Sequence, residues 1–138
     1  MFDWKEYLNL AEQLTRVTID TVSDEACLRT AVSRAYYAAF HIANDFAKNK
    51  DENLFKQVKN ETGIDKKGNL RRRGDHEVVI EFLMRNSDNN IMEAGVKLEG
   101  LKKERVRCDY YDNIKNIFAL AQKVILETKD VLDKISSI

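Results

Sequence analysis

The chain has 138 residues, enough for one domain with a buried core. Its 23 basic and 23 acidic residues cancel, so any contact with nucleic acid must rest on a local patch and not on overall charge. Proline is absent and glycine occurs five times, which suits an all-helical chain and disfavours one built from strands and turns.

Residues 3–19 read as an amphipathic helix, with Trp4, Tyr7, Leu8, Ala11, Leu14 and Val17 recurring at helical steps. Ser23 is the expected N-cap of a second helix that runs to about Lys48, with Asp24 and Glu25 placed to meet its positive end. DENLFKQVKNE predicts a short third helix. TGIDKKGNLRRRGD holds three of the five glycines and no apolar periodicity, and reads as a loop. A short helix is expected around HEVVIEFLMRN, then a break at SDNN with Ser87 or Asp88 as cap. Residues 90–108 predict another helix, through Ile91, Ala94, Val96, Leu98 and Leu101. The last runs from about Asp112 to Ile135. No repeat or linker divides the chain. The expectation is a single all-α domain over 1–138: an up-and-down bundle of four main helices with one or two short ones.

No apolar run approaches the ~18 residues that span a bilayer, so no membrane association is expected. MFDWKEYLNL carries acids and no cleavable apolar core, so it does not read as a signal peptide. Cys27 and Cys108 lack CxxC spacing, and two reduced thiols in a cytoplasmic protein are expected.

The second helix departs from the charged character of the rest. Between Thr30 and Asn44 its one charged residue is Arg34. On a wheel of about 100° per residue, Leu28, Val32, Ala35, Ala39, Ile42 and Phe46 form a core stripe. Arg34 and His41 fall within about 20° of each other on the opposite side, with Tyr37, Thr30, Cys27 and Asp45 near them. A helix that avoids surface charge all round is expected to be covered all round, by another helix or by a second subunit. Two readings of this face stand side by side. Arg34, Tyr37 and His41 either satisfy one another and nearby acceptors structurally, or they build a polar site.

RAYYAAFHIA, the later GDHEVVIEFL and the helix end ERVRCDYY resemble the HEPN (higher eukaryotes and prokaryotes nucleotide-binding) domain, in its small stand-alone prokaryotic branch. The residues that carry the likeness are Arg34, Tyr36, Tyr37, Phe40 and His41, then Arg105, Asp109 and Tyr110, and it spans roughly residues 5–130. The resemblance implies a helical bundle that forms a homodimer with a polar cleft at the subunit interface. It implies binding of RNA or a nucleotide. It further implies metal-independent ribonuclease activity in toxin–antitoxin or phage-defence systems, beside a small nucleotidyltransferase-type partner. The family's catalytic signature is an arginine, about four to six residues, then a histidine: arginine for the phosphate, histidine for protons near neutral pH. After Arg105 this chain has Tyr110 at the histidine position, and a phenol with a pKa of about 10 is a poor base at pH 7. Arg34 and His41, with six residues between them, are an arginine–histidine pair within that spacing, and are the candidate catalytic residues. Tyr37, Arg105, Asp109 and Tyr110 are the candidate binding residues. As members of the two motifs, Arg34 and Asp109 are expected to lie in contact. His76 is expected at the surface, with the cleft as the other option.

KKGNLRRR carries Lys66, Lys67, Arg71, Arg72 and Arg73 without an acid. It is either a solvated loop or a phosphate-binding patch. No aromatic residue interleaves with it, so base stacking is not expected there. The sequence has no Gly-rich phosphate loop, HExxH, zinc spacing or nucleophile elbow, and no ExxH pair for a bundle-core metal. No cofactor and no metal is expected. Two functions compete: an RNA- or nucleotide-binding HEPN-type protein, with or without cleavage, and a non-catalytic helical dimerisation or interaction module that partners a nucleotidyltransferase.

Overall fold

The computed structural model describes residues 1–136, Thr62 by its backbone alone, so the last two residues of the predicted domain lie outside it. The fold is an all-α helical bundle. In chain order it comprises α1 (Lys5–Leu14), α2 (Asp24–Lys50), α3 (Glu52–Asn60), a small hairpin of β1 (Thr62–Ile64) and β2 (Leu70–Arg72), α4 (Asp75–Met84), α5 (Asn89–Tyr110) and α6 (Ile117–Ser136). No helix is long and apolar enough to cross a membrane among the described residues.

The central element is α2, which packs against α1, α3, α4, α5 and α6. Its alanines explain how. Ala31, Ala35, Ala38, Ala39, Ala43 and Ala47 are fully buried on several faces, and their small side chains let neighbouring helices come close. Leu98, Leu101, Ile91, Val124 and Val131 from α5 and α6 fill the space between, each fully buried or nearly so. Burying one such side chain contributes about 1.5–3 kcal/mol.

The caps follow the sequence signals. Ser23 Oγ accepts from the Ala26 amide at 3.1 Å, and Asp51 Oδ1 accepts from Leu54 at 2.9 Å. Of the two candidate caps before α5 it is Asp88 that accepts, from the Asn90 amide at 2.8 Å.

Three predicted boundaries are corrected. The first helix ends at Leu14 and not at residue 19, because Val17, Thr18, Ile19, Thr21 and Val22 are β-branched and resist helical packing. Thr15 closes it by donating from Oγ1 to the Glu12 carbonyl at 2.7 Å. The predicted loop contains an antiparallel hairpin, with Thr62 opposite Arg72 and Ile64 opposite Leu70. Its turn is set by Asp65, whose Oδ1 accepts from the amides of Lys67 and Asn69, and by Gly68 at φ +82°. The last helix begins at Ile117 and not near Asp112. Arg29 of α2 holds the preceding turn, donating to the carbonyls of Cys108, Tyr111 and Asp112 at 2.9, 2.6 and 2.9 Å. The half-buried Arg29 guanidinium thus ties the last turn of α5 to the two residues that follow it.

Cys27 and Cys108 are free and buried. Burial pushes the Cys108 thiol up to about 11, against the opposing pull of Arg29.

Candidate functional site

Two groups of side chains meet on α2, and Tyr37 belongs to both. The first is made by α1 and α2. The Arg34 guanidinium lies 4.8 Å from the Tyr7 ring and 5.1 Å from the Tyr37 ring. The Trp4 indole stacks on the His41 imidazole, with centroids 3.6 Å apart and planes 11° apart. Tyr37 is 6.1 Å from His41. The uncharged face of α2 is therefore covered here by this chain's own first helix. The cover is partial: Arg34, Tyr37 and His41 are half-buried, and Thr30 and Asp45 on the same side are exposed.

The second group is made by α2, α4 and α5. The Tyr36 hydroxyl lies 2.5 Å from Nδ1 of His76. The His76 ring stacks on Phe40 at 4.1 Å and stands edge-on to Tyr37 at 6.1 Å. From α5, the Arg105 guanidinium sits 5.6 Å from the Tyr36 ring and 5.5 Å from the Tyr37 ring. The Arg105 side chain is only 13% exposed. Its acceptor is Asp109 Oδ2 at 3.2 Å, one turn along the same helix, and its Nε is buried without a partner among the described residues.

The electrostatics are one-sided. Burial is the main cause that holds the His76 pKa below the ordinary histidine value, and Lys102 and Arg105 add to it, against Asp75. Burial also lowers the pKa of His41, with Arg34 adding to the shift and Asp45 opposing it. Both rings are neutral at pH 7. Tyr36 moves the other way: burial raises its pKa, and the nearby Arg105 offsets this only in part.

The predicted residues fall into place unevenly. Arg34, Tyr37 and His41 do come together, and Arg105 joins them through Tyr37. The expected Arg34–Asp109 contact is not formed: Asp109 pairs with Arg105, four residues away on its own helix, and Arg34 lies over tyrosines. Tyr110 is 74% exposed, just past the point where Cys108 turns into the core. Arg71 and Arg73 are not free cations. Arg71 pairs with Glu77 at 2.7 Å, and Arg73 lies between Glu61 and Glu81. Arg72, Lys66 and Lys67 remain without a carboxylate partner among the described residues. His76 does not lie free at the surface; it is half-buried against Tyr36 and Phe40.

Tyr36 and Phe40, which the motif resemblance names, belong to the site, as do Trp4 and Tyr7, whose spacing reads as core packing. For His76 the signal in the sequence was that it follows Asp75 at a helix start. Lys102 has no signal at all, since it is one lysine among many on a charged helix.

A groove of about 630 Å³ lies between α4 and α5, with Lys102 on its wall. Basic Arg73, Lys102, Lys103 and Arg107 line it together with acidic Glu77, Glu81 and Glu99, so the groove as a whole carries charge of both signs. Among the described residues no three His, Cys, Asp or Glu side chains converge as metal ligands would.

No protein-family model, curated protein or solved structure matches the chain.

Proposed function

We propose that this chain is a HEPN-like protein that binds an RNA or nucleotide phosphate at Arg105, Lys102 and His76, over an aromatic floor of Tyr36, Tyr37 and Phe40. Arg105 is the observation that carries the reading. A guanidinium so little exposed is ordinarily matched on more than one edge of its fork, because a buried charged donor left unmade costs about 1–3 kcal/mol or more. Here one carboxylate at 3.2 Å is its whole complement of acceptors among the described residues. A phosphate oxygen would complete it with the geometry arginine favours. Lys102 adds a second cation, close enough to lower the His76 pKa.

Cleavage, in this reading, follows from His41. Its lowered pKa leaves a neutral imidazole at pH 7, able to take a proton from a ribose 2′-hydroxyl. The 2′-oxygen then bonds to phosphorus, the bond from phosphorus to the 5′-oxygen breaks, and that oxygen takes a proton from water. The products are a 2′,3′-cyclic phosphate and a 5′-hydroxyl. A homodimer, a nucleotidyltransferase-type partner and a toxin–antitoxin or phage-defence setting belong to the same proposal and rest on the motif resemblance.

Anisotropy of a labelled single-stranded RNA tests the binding. The logarithm of affinity should fall with log salt by about 0.7 for each phosphate contact. Arg105→Gln should weaken binding about tenfold, the loss expected for one charge-assisted hydrogen bond. His41→Ala should abolish cleavage and leave binding in place. Absence of binding at low salt removes the proposal.

One observation favours the second reading, a non-catalytic interaction module. Trp4 and Tyr7 lie directly on His41 and Arg34, as they would on groups that only need to be satisfied. A folded protein that binds no RNA at low salt, with or without His41→Ala, would support it.

A further inference from the structure

The contact between Tyr36 and His76 can be made in two ways, and the surroundings choose between them. Tyr36 is fully buried, and Nδ1 of His76 is the hydrogen-bond partner of its hydroxyl. If Nδ1–H donated to the phenolic oxygen, the phenol's own hydrogen would be left in the core without an acceptor, and a buried donor left unmade is penalised. If the phenol donates, every group in the pair is satisfied. Nδ1 is then the acceptor, and a neutral imidazole must carry its one hydrogen on Nε2.

We infer that Tyr36 holds His76 as its neutral Nε2–H tautomer, so that His76 offers a phosphate oxygen a hydrogen-bond donor and does not serve as a general base. The identity of the anion rests on the function proposed above; the tautomer does not.

The neighbours fit this role. Phe40 lies nearly parallel to the ring, at 17°, and fixes its plane. Facing His76 are Lys102 and Arg105 from α5, Asp75 beside it on α4, and Tyr36 and His41 from α2. With two cations against one carboxylate, a third positive charge is disfavoured, and burial works in the same direction. Tyr36, kept protonated by burial, stays a donor through the neutral range. Charge at the site comes from Arg105 and Lys102, and direction from the N–H of His76.

Long-range proton–nitrogen correlation spectra of the ¹⁵N-labelled protein at neutral pH read the tautomer directly. The expected result is a His76 Nδ1 shift in the unprotonated, hydrogen-bonded range and an Nε2 shift in the protonated range. The reverse assignment overturns the inference. Tyr36→Phe should relax His76 toward a mixture of tautomers and leave the His41 signals in place. If that variant does not fold, the wild-type spectrum still decides.

The role is tested with thymidylyl-(3′→5′)-thymidine, a phosphodiester with one constant charge and no 2′-hydroxyl. His76→Gln, whose amide N–H can stand where Nε2–H stands, should retain affinity. His76→Phe should lose about tenfold, as for one hydrogen bond to a charged acceptor. Equal loss in both variants overturns the donor role. A spectrum with Nε2–H but no diester binding at low salt removes the phosphate site and leaves the tautomer standing.

Discussion

The indole of Trp4 lies flat on the imidazole of His41, 3.6 Å between centroids, and so ties the start of the chain to the middle of α2. Trp4 is the one tryptophan in the sequence, which makes its emission a report on a single ring. Imidazolium quenches indole emission by electron transfer, and neutral imidazole does so far less. Emission should therefore fall as pH drops, with a midpoint below about 6.5, the ordinary histidine value. His41→Asn should remove that step. A step that survives in His41→Asn would show that Trp4 senses another group.

Stability should depend on pH in a window set by the two histidines. Both have folded-state pKa values held below the ordinary one, mainly by burial, so the unfolded chain binds more protons. Their contribution is complete above about 6.5 and is lost as pH falls from there through the folded-state values. The thermal midpoint should drop across that interval, and less so in His41→Asn/His76→Asn. Glu61, beside Arg85, and Asp130, beside Lys97, have lowered pKa values as well. Their part is lost only at more acid pH, below about 4.3, so a melt series separates the two sets.

Two glycines of α5 should respond to alanine with opposite signs. A Cβ at Gly95 would stand 2.9 Å from Leu83 Cβ and Met84 Cγ, and 3.0 Å from the Met84 backbone nitrogen. A Cβ at Gly100 would meet nothing within 4 Å. Gly100→Ala should stabilise by about 0.5–1 kcal/mol through helix propensity alone. Gly95→Ala gains the same term but must push α4 away, and overpacking costs about 1–3 kcal/mol. Denaturant titrations should show the first midpoint rise and the second fall.

Arg29 should be the most costly arginine of α2 to remove. Its guanidinium is 19% exposed and serves three carbonyls at the end of α5 and in the turn after it. Arg29→Met keeps the stem and removes the donors, and should cost about 3 kcal/mol. Arg29→Lys should recover only part of this, because an ammonium cannot spread over three oxygens as a planar fork does. Hydrogen exchange in residues 108–116 should quicken in both variants. Unchanged exchange there would mean that the turn holds itself.

The helices were legible because their signals are local. Apolar spacing, the Ser23 cap, the acids after it and the uncharged run in α2 depend on a few neighbouring residues each, and the structure keeps most of them; Val17, beyond the end of α1, and Val96 on α5 are the apolar positions it leaves exposed. The ends were less so. A β-branched stretch shortened α1, and an arginine far away in sequence holds Tyr111 and Asp112, where the last helix was expected to begin. The hairpin was within reach: Asp65, two lysines and Gly68 spell its turn, but its strands are three residues long and leave no periodicity to read.

The site was legible only in part, for a physical reason. A helical wheel places residues around one helix, so it gathered Arg34, Tyr37 and His41 on one side of α2. It cannot say which other helix arrives there. Tyr36 sits between the two faces of the wheel and turned out to meet α4, where it finds His76. Asp109, paired by motif with Arg34, instead took the nearest cation on its own helix. Sequence determined that α2 had to be covered and which of its residues were unusual. Only the packing of α1, α4 and α5 around it decided which rings lie under the histidines, which arginine is left short of acceptors, and which basic residues of the hairpin are neutralised. Those outcomes depend on distances between elements, and no spacing along the chain records them.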